Sequence, residues 1–337
     1  MVYRIWMTGI LIMYLGLASG AWVQPTVNPR PEADDVTSTL LIGGSKIDVA
    51  VESGEMKLTQ AELLHWVQNA AEAVATYYGR YPIPHVLIRI TPTGGHGVRH
   101  GQTFGYDGGL IKIRVGSEAN ANELASDWML THEMVHLGFP SVAQNHHWIE
   151  EGTAVYVEPI ARIQAGQMAA SQMWADLVRD MPKGLPQSGD QGLDHTHTWG
   201  RTYWGGALFC FLADVEIRRQ THNQKGLQNA LRGILNAGGD IRHEWDLQDV
   251  FAAGDKATGT SVLADLYAKM KDQPVATDLP ALWKQLGVEP DDGQVRVNDN
   301  APLAAIRRSI TAVPHSKAMS PAGAARHSAV YAGRSLR

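Results

Sequence analysis

His132-Glu133-Met134-Val135-His136 is followed closely by Trp148-Ile149-Glu150-Glu151-Gly152-Thr153-Ala154-Val155-Tyr156, and these two fragments decide how the chain is read. Residues four apart on an α-helix lie one turn apart on the same face. His132 and His136 can therefore aim two imidazoles at one ion. Glu133, beside them, is placed to act as a general base toward water. The flanks suit a helix. Asn120 to Phe139 is apolar at Leu124, Trp128, Met129, Val135 and Leu137, with Gly138 and Pro140 as stop signals.

A catalytic zinc takes three protein ligands and keeps a fourth position open. The metzincin pattern would need glycine at 139 and histidine at 142, where this chain has Phe139 and Val142. Two sources remain for the third ligand. His146 and His147 fall in a loop, Ser141 to His147. Glu151 falls in an apolar helical stretch, Trp148 to Ile160.

Trp148, Glu151, Gly152 and Tyr156, spaced as Trp-x-x-Glu-Gly-x-x-x-Tyr, resemble the second zinc-binding helix of the gluzincin aminopeptidases, of both the aminopeptidase N and the glycyl aminopeptidase types. Tyr203-Trp204-Gly205-Gly206-Ala207 resembles their downstream catalytic tyrosine segment. The apolar stretch Leu208 to Arg219 that follows is more like the glycyl aminopeptidase type. The resemblance spans about residues 85 to 290. It implies His132, His136 and Glu151 as ligands of one zinc ion, Glu133 as general base, and Tyr203 as the donor that steadies the tetrahedral oxyanion. It also implies an α+β fold of the thermolysin-like, gluzincin kind, in which a small mixed β-sheet lobe with the zinc helix precedes a mainly helical lobe.

The chain departs from those families in three places. Gly205 stands where one variant carries lysine. Val155 stands where thermolysin-like enzymes carry the aspartate that orients a zinc histidine, so another group must do so. The aminopeptidase N strand that binds a substrate amine through glutamate corresponds to Gly101 through Val115, which has none. Asp107 is the candidate substitute, although Asp107-Gly108-Gly109 also reads as a hairpin turn. The alternating strand Leu110 to Val115 is the expected sheet edge for pairing with substrate backbone.

Met1 to Gly20 places Arg4 before an apolar run, Ile5 to Leu17, and then Ala18-Ser19-Gly20. That is a signal-peptide pattern cut after Gly20, short of the roughly 20 apolar residues a membrane span needs. It implies a periplasmic or secreted bacterial protein with no stable membrane span after cleavage. Residues 21–45 read as a polar leader, 46–160 as the mixed lobe, 161–300 as the helical lobe and 301–337 as a basic, disordered tail. Within these limits Lys46 to Val51 and His85 to Thr91 read as strands, Gln60 to Tyr78 as a long helix, and Asp249 to Thr258 as a loop or helix junction.

A composition of 44% hydrophobic and 19% charged residues is ordinary for a globular chain. The net charge of −5, without a dense basic patch in the body, argues against nucleic acid as a partner. The lone Cys210 lies in an apolar helical run and reads as core rather than nucleophile. His96, His100, His195 and His197 read as loop histidines, with a place in the cleft or in another metal site as the alternative for His195 and His197. Glu150 reads as a solvated neighbour of Glu151, with a hold on a substrate amine as its alternative. The expected function is zinc-dependent hydrolysis of peptide or protein substrates. A non-catalytic gluzincin-fold peptide binder would have no need of Glu133, and a zinc hydrolase of a non-peptide amide or ester would use the same residues.

Overall fold

The computed structural model describes residues 38–313. β1 (Ser38–Ile42) and β2 (Ser45–Val51) form an antiparallel hairpin. Gly43 and Gly44 make its two-residue turn, both at positive φ (57° and 86°), a conformation glycine adopts without a Cβ penalty. α1 (Gln60–Tyr78) then crosses over to β3 (His85–Thr93), which pairs in parallel with β2. β4 (Val98–Phe104) and β5 (Leu110–Gly116) follow as a second antiparallel pair, with β5 also parallel to β3. The sheet order is β1-β2-β3-β5-β4.

Local chemistry sets the bounds of α1. Thr59 and Glu62 form a reciprocal capping box at its start, and Gly79 ends it at φ 81°. Leu63, Trp66, Val67 and Val74 bury one face of the helix. They share a core with Ile47, Val49, Val86, Ile88, Ile90, Ile111 and Ile113 of the sheet. Each such aliphatic side chain contributes about 1.5–3 kcal/mol on full burial.

The zinc-motif region is two helices rather than one. α2 (Ala121–Ala125) and α3 (Met129–His136) are separated at Asp127. The Asp127 carboxylate accepts hydrogen bonds from the Met129 and Leu130 amides (3.0 and 3.1 Å) and from Trp66 Nε1 (3.1 Å). An acidic side chain that satisfies the free amides of a new first turn starts a helix there. The unbroken helix expected from Asn120 to Phe139 did not allow for this cap.

α4 (His147–Gln164) follows α3, and α5 (Ala170–Asp180) follows α4. A π-helical turn (Gly200–Gly205) leads directly into α6 (Gly206–Gln220). α4 and α6 cross in backbone contact. A Cβ on Gly152 would overlap the main chain of Gly206, and one on Gly206 would overlap the Trp148 carbonyl. α7 (Leu227–Asn236), α8 (Leu247–Thr258), α9 (Val262–Met270) and α10 (Leu279–Leu286) complete the helical layer. Asp214 knits it together, accepting from Tyr156 Oη (2.9 Å), Arg218 Nε (2.8 Å) and the Leu227 amide (2.9 Å). Cys210 is buried on α6 beside Thr153.

Five further expectations differ from the structure. β5 lies inside the sheet, and β4 is the edge next to it. Alternation marks a strand with unlike faces, which an interior strand can also have. Asp249 to Thr258 belongs to α8, with Gly254 buried under Leu263 rather than breaking the helix. The helical lobe carries a hairpin, β6 (Val288–Asp291) and β7 (Gln294–Val297). The expected tail begins with a helix, α11 (Ala304–Ile310), because Ala304, Ile306 and Ile310 are buried. Its Arg307 is also buried, and its Nη1 donates to the Leu286 and Gly287 carbonyls at the end of α10 (3.0 and 2.7 Å). That is a favourable site for a cation. β1 likewise occupies the end of the expected polar leader. The expected signal peptide, and the tail from 314 on, lie outside the described residues. Among the described residues no helix is long and apolar enough to cross a membrane.

Candidate metal centre

α3 and α4 bring His132, His136 and Glu151 together. His132 Nε2 lies 3.3 Å from His136 Nε2 and 3.2 Å from Glu151 Oε2. His136 Nε2 lies 3.7 Å from the same carboxylate oxygen. Tetrahedral coordination with bonds of about 2.0–2.1 Å separates ligand atoms by about 3.3 Å. The triangle therefore fits zinc with little adjustment. All three groups are largely buried.

Electrostatics suit the same purpose. Burial, only partly offset by the Glu151 charge, lowers the His136 pKa to about 4, so its imidazole is neutral and free to ligate. Burial works to raise the pKa of Glu151, but hydrogen bonds from His132 and His147 and the nearby imidazoles outweigh it and hold the carboxyl well below its usual range. An ionised Glu151 carboxylate beside the neutral His136 imidazole suits zinc.

Glu133 faces the edge strand. Its Oε2 accepts from Thr103 Oγ1 (2.6 Å), which also reaches the Glu133 carbonyl (2.9 Å). Gly101 lies so close to Glu133 that an added Cβ would collide with its carboxyl group. Burial raises the Glu133 pKa from its ordinary value despite the Thr103 hydrogen bond, which favours proton acceptance. Tyr203, carried by the π-helical turn, lines the same cleft. Burial first, then the Glu151 and Glu133 charges, push its pKa up to about 12, so it keeps its proton as a donor. The turn is anchored from beneath. Arg201 pairs with Asp190 (2.7 Å), both fully buried, and donates to the Gly184 carbonyl (2.5 Å).

The cleft has a volume of about 660 Å³. β4 forms one wall, and α3, the start of α4 and Tyr203 form the others. Trp128 stands edge-on to His132 at 5.5 Å and is half exposed.

A search of solved structures gives a likeness to an aminopeptidase N family protein from Idiomarina loihiensis. The TM-score is 0.55 at 12% identity, over 74% of this chain and 49% of that one. The chain has the gluzincin fold. An M1 zinc metallopeptidase from Deinococcus radiodurans also aligns, with a TM-score of 0.48 at 14% identity over 72% of this chain and 52% of that one. The chain thus spans about half the length of the solved structures it matches. No protein-family model and no curated relative matches the sequence.

Within the gluzincin fold, several residues take positions that the motifs did not signal. Thr103 and Gly101 seat Glu133, but strand Val98–Phe104 is polar and gave no hydropathy signal. His147 lies 2.7 Å from Glu150 Oε2 through Nδ1 and 3.2 Å from Glu151 Oε1 through Nε2, so it flanks the trio instead of joining it. Glu150 is not a solvated neighbour. It lines the cleft, and its Oε1 accepts from the Val142 amide (3.2 Å). His100 lines the cleft as well. His195 is exposed and pairs with Asp272 (2.9 Å), and His96 is exposed beside Glu123 (3.3 Å). His197 is also exposed, and His195, His96 and His197 all lie outside the cleft. The Asp107 side chain lies outside the described residues.

His132 Nδ1 is buried and has no hydrogen-bond partner among the described residues. The nearby carboxyl group is Glu158, two turns after Glu151 on α4, whose charge interacts with His132. Burial raises the Glu158 pKa to about 7, and its salt bridge to Arg162 (3.1 Å) only partly offsets this.

Proposed function

We propose that this chain is an exported zinc-dependent metallopeptidase that hydrolyses peptide bonds in peptide or protein substrates. The observation that carries the reading is the donor triangle of His132, His136 and Glu151 with Glu133 seated beside it. When bound, one zinc ion would polarise the scissile carbonyl and lower the pKa of water to about 7.

The chain's own residues do the rest. Glu133 accepts the proton of the attacking water as its oxygen joins the carbonyl carbon. Thr103 fixes one carboxylate oxygen of Glu133 so that the other can face the substrate. Tyr203 donates a hydrogen bond to the developing oxyanion. The C–N bond then breaks, and Glu133 returns its proton to the leaving nitrogen. No acyl-enzyme is needed, and Cys210, buried with its pKa pushed up to about 12 by desolvation, takes no part. Residues 1–20 support export by their signal-peptide pattern.

The test is zinc content followed by hydrolysis of a mixed peptide library, run beside Glu133→Gln. The expected result is about one zinc per chain in both proteins, with turnover lost in the variant. Equal turnover in the two would remove Glu133 from the mechanism.

A further inference from the structure

Peptidases of this chemistry differ in whether they grip a free amino terminus next to the scissile bond or take an internal stretch of chain. A charged α-ammonium needs an uncommitted carboxylate within hydrogen-bond reach, because desolvating it without a partner is costly. Three carboxylates of described side chains line the cleft: Glu133, Glu150 and Glu151. Each is already engaged. Glu151 belongs to the donor triangle. Glu133 is held by Thr103 and is needed as the base. Glu150 is tied down at both oxygens, Oε1 accepting from the Val142 amide and Oε2 meeting His147 Nδ1, so its carboxylate is already charge-matched and oriented toward its own helix start.

The shape of the cleft points the same way. β4 and the turn after it line the cleft continuously from Arg99 to Tyr106. Glu133 meets this wall near its middle, at Gly101 and Thr103. The wall therefore runs past the reacting position in both directions. In one direction lie His100 and Arg99, whose guanidinium is a cation where a free amine would be repelled. In the other lie Phe104, Gly105 and Tyr106. Here Gly105 packs against the Ile241 main chain, itself hydrogen-bonded to the Leu137 carbonyl beyond the end of α3. From Arg99 to Phe104 the strand spans about 17 Å at about 3.3 Å per residue. That is room for several substrate residues lying extended beside its free edge.

We propose that the cleft takes an internal segment of an extended polypeptide, so that the bond cut lies away from the amino terminus. This rests on the peptidase reading above, and the hydrolysis is the same reaction.

The experiment uses the zinc-loaded full chain and peptides of about a dozen residues, longer than the strand. Each peptide is supplied with a free and with an acetylated amino terminus, and products are identified by mass spectrometry. We expect internal fragments as first products, and kcat/KM values for the free and acetylated forms within about threefold of each other. The ratio between the two forms should stay the same in Glu150→Gln and in Asp107→Asn. Stepwise loss of single amino-terminal residues, with acetylation costing at least about thirtyfold, would overturn the inference while leaving the peptidase reading standing. So would a shift of that ratio in either variant, since it would identify an amine anchor. Absence of cleavage of any peptide would overturn both.

Discussion

The trio His132, His136 and Glu151 and the tyrosine Tyr203 face one cleft, but the chain holds them by opposite means. The trio stands on two regular helices, where spacing along α3 sets His132 beside His136 and the packing of α4 on α3 adds Glu151. Tyr203 stands on a π-helical turn, whose place depends on what its own Arg201 meets elsewhere in the chain. It needs the buried Arg201–Asp190 ion pair and the Gly184 carbonyl beneath it. Single-turn π segments of this kind are common at functional sites. The first arrangement is robust and readable in the sequence. The second depends on tertiary contacts from a separate stretch of chain.

That contrast can be broken experimentally, beginning with the trio. Glu151→Gln removes one donor charge and should reduce bound zinc to background while the fold persists, as read by metal analysis and circular dichroism. Zinc retained in full would break the assignment of the third ligand.

The anchor beneath the π-helical turn comes next. Arg201→Ala leaves Asp190 buried without its partner, a change that typically costs about 3–5 kcal/mol. Denaturant unfolding should show a loss of that size. A loss below about 1 kcal/mol would mean that the turn holds itself.

Tyr203→Phe should leave stability and zinc content intact and lower kcat by about 10²–10³, the usual worth of one oxyanion donor. An unchanged kcat would reduce Tyr203 to a packing residue.

The smallest effect concerns Glu158. Its folded pKa of about 7 stands above the ordinary 4.5. A carboxyl group raised in this way stabilises the fold fully below the unfolded value, and that contribution is lost as pH rises from 4.5 through about 7. In metal-free protein, Glu158→Gln should flatten the fall in melting temperature across this window. An unchanged slope would mean that Glu158 does not titrate in this window.

How much was legible in the sequence follows the same division. α1 could be read to the residue because Thr59, Glu62 and Gly79 punctuate it locally. The His132–His136 pair could be read because helical spacing is intrinsic to the chain, whereas Glu151 was reached through the resemblance carried by Trp148, Gly152 and Tyr156. The start of α3 could not, since the capping carboxylate of Asp127 lies within a run that also scores as helix. The sheet edge could not either. Which of β4 and β5 lies outside depends on pairing with β3, a partner far away in sequence. Thr103 became meaningful only once β4 was set against α3. Arg307 looked like tail charge until the carbonyls closing α10 were found around it.

The contact between Gly152 and Gly206 has a consequence for durability. Gly152 directly follows Glu151, and Gly206 lies three residues after Tyr203. Where they meet, main chain touches main chain, so no side chain acts as a spacer there. Core side chains can be exchanged, or can loosen on heating, without resetting that separation. The reach from Glu151 to Tyr203 is thus a ruler cut from backbone, and its length is insulated from changes in the packing around it.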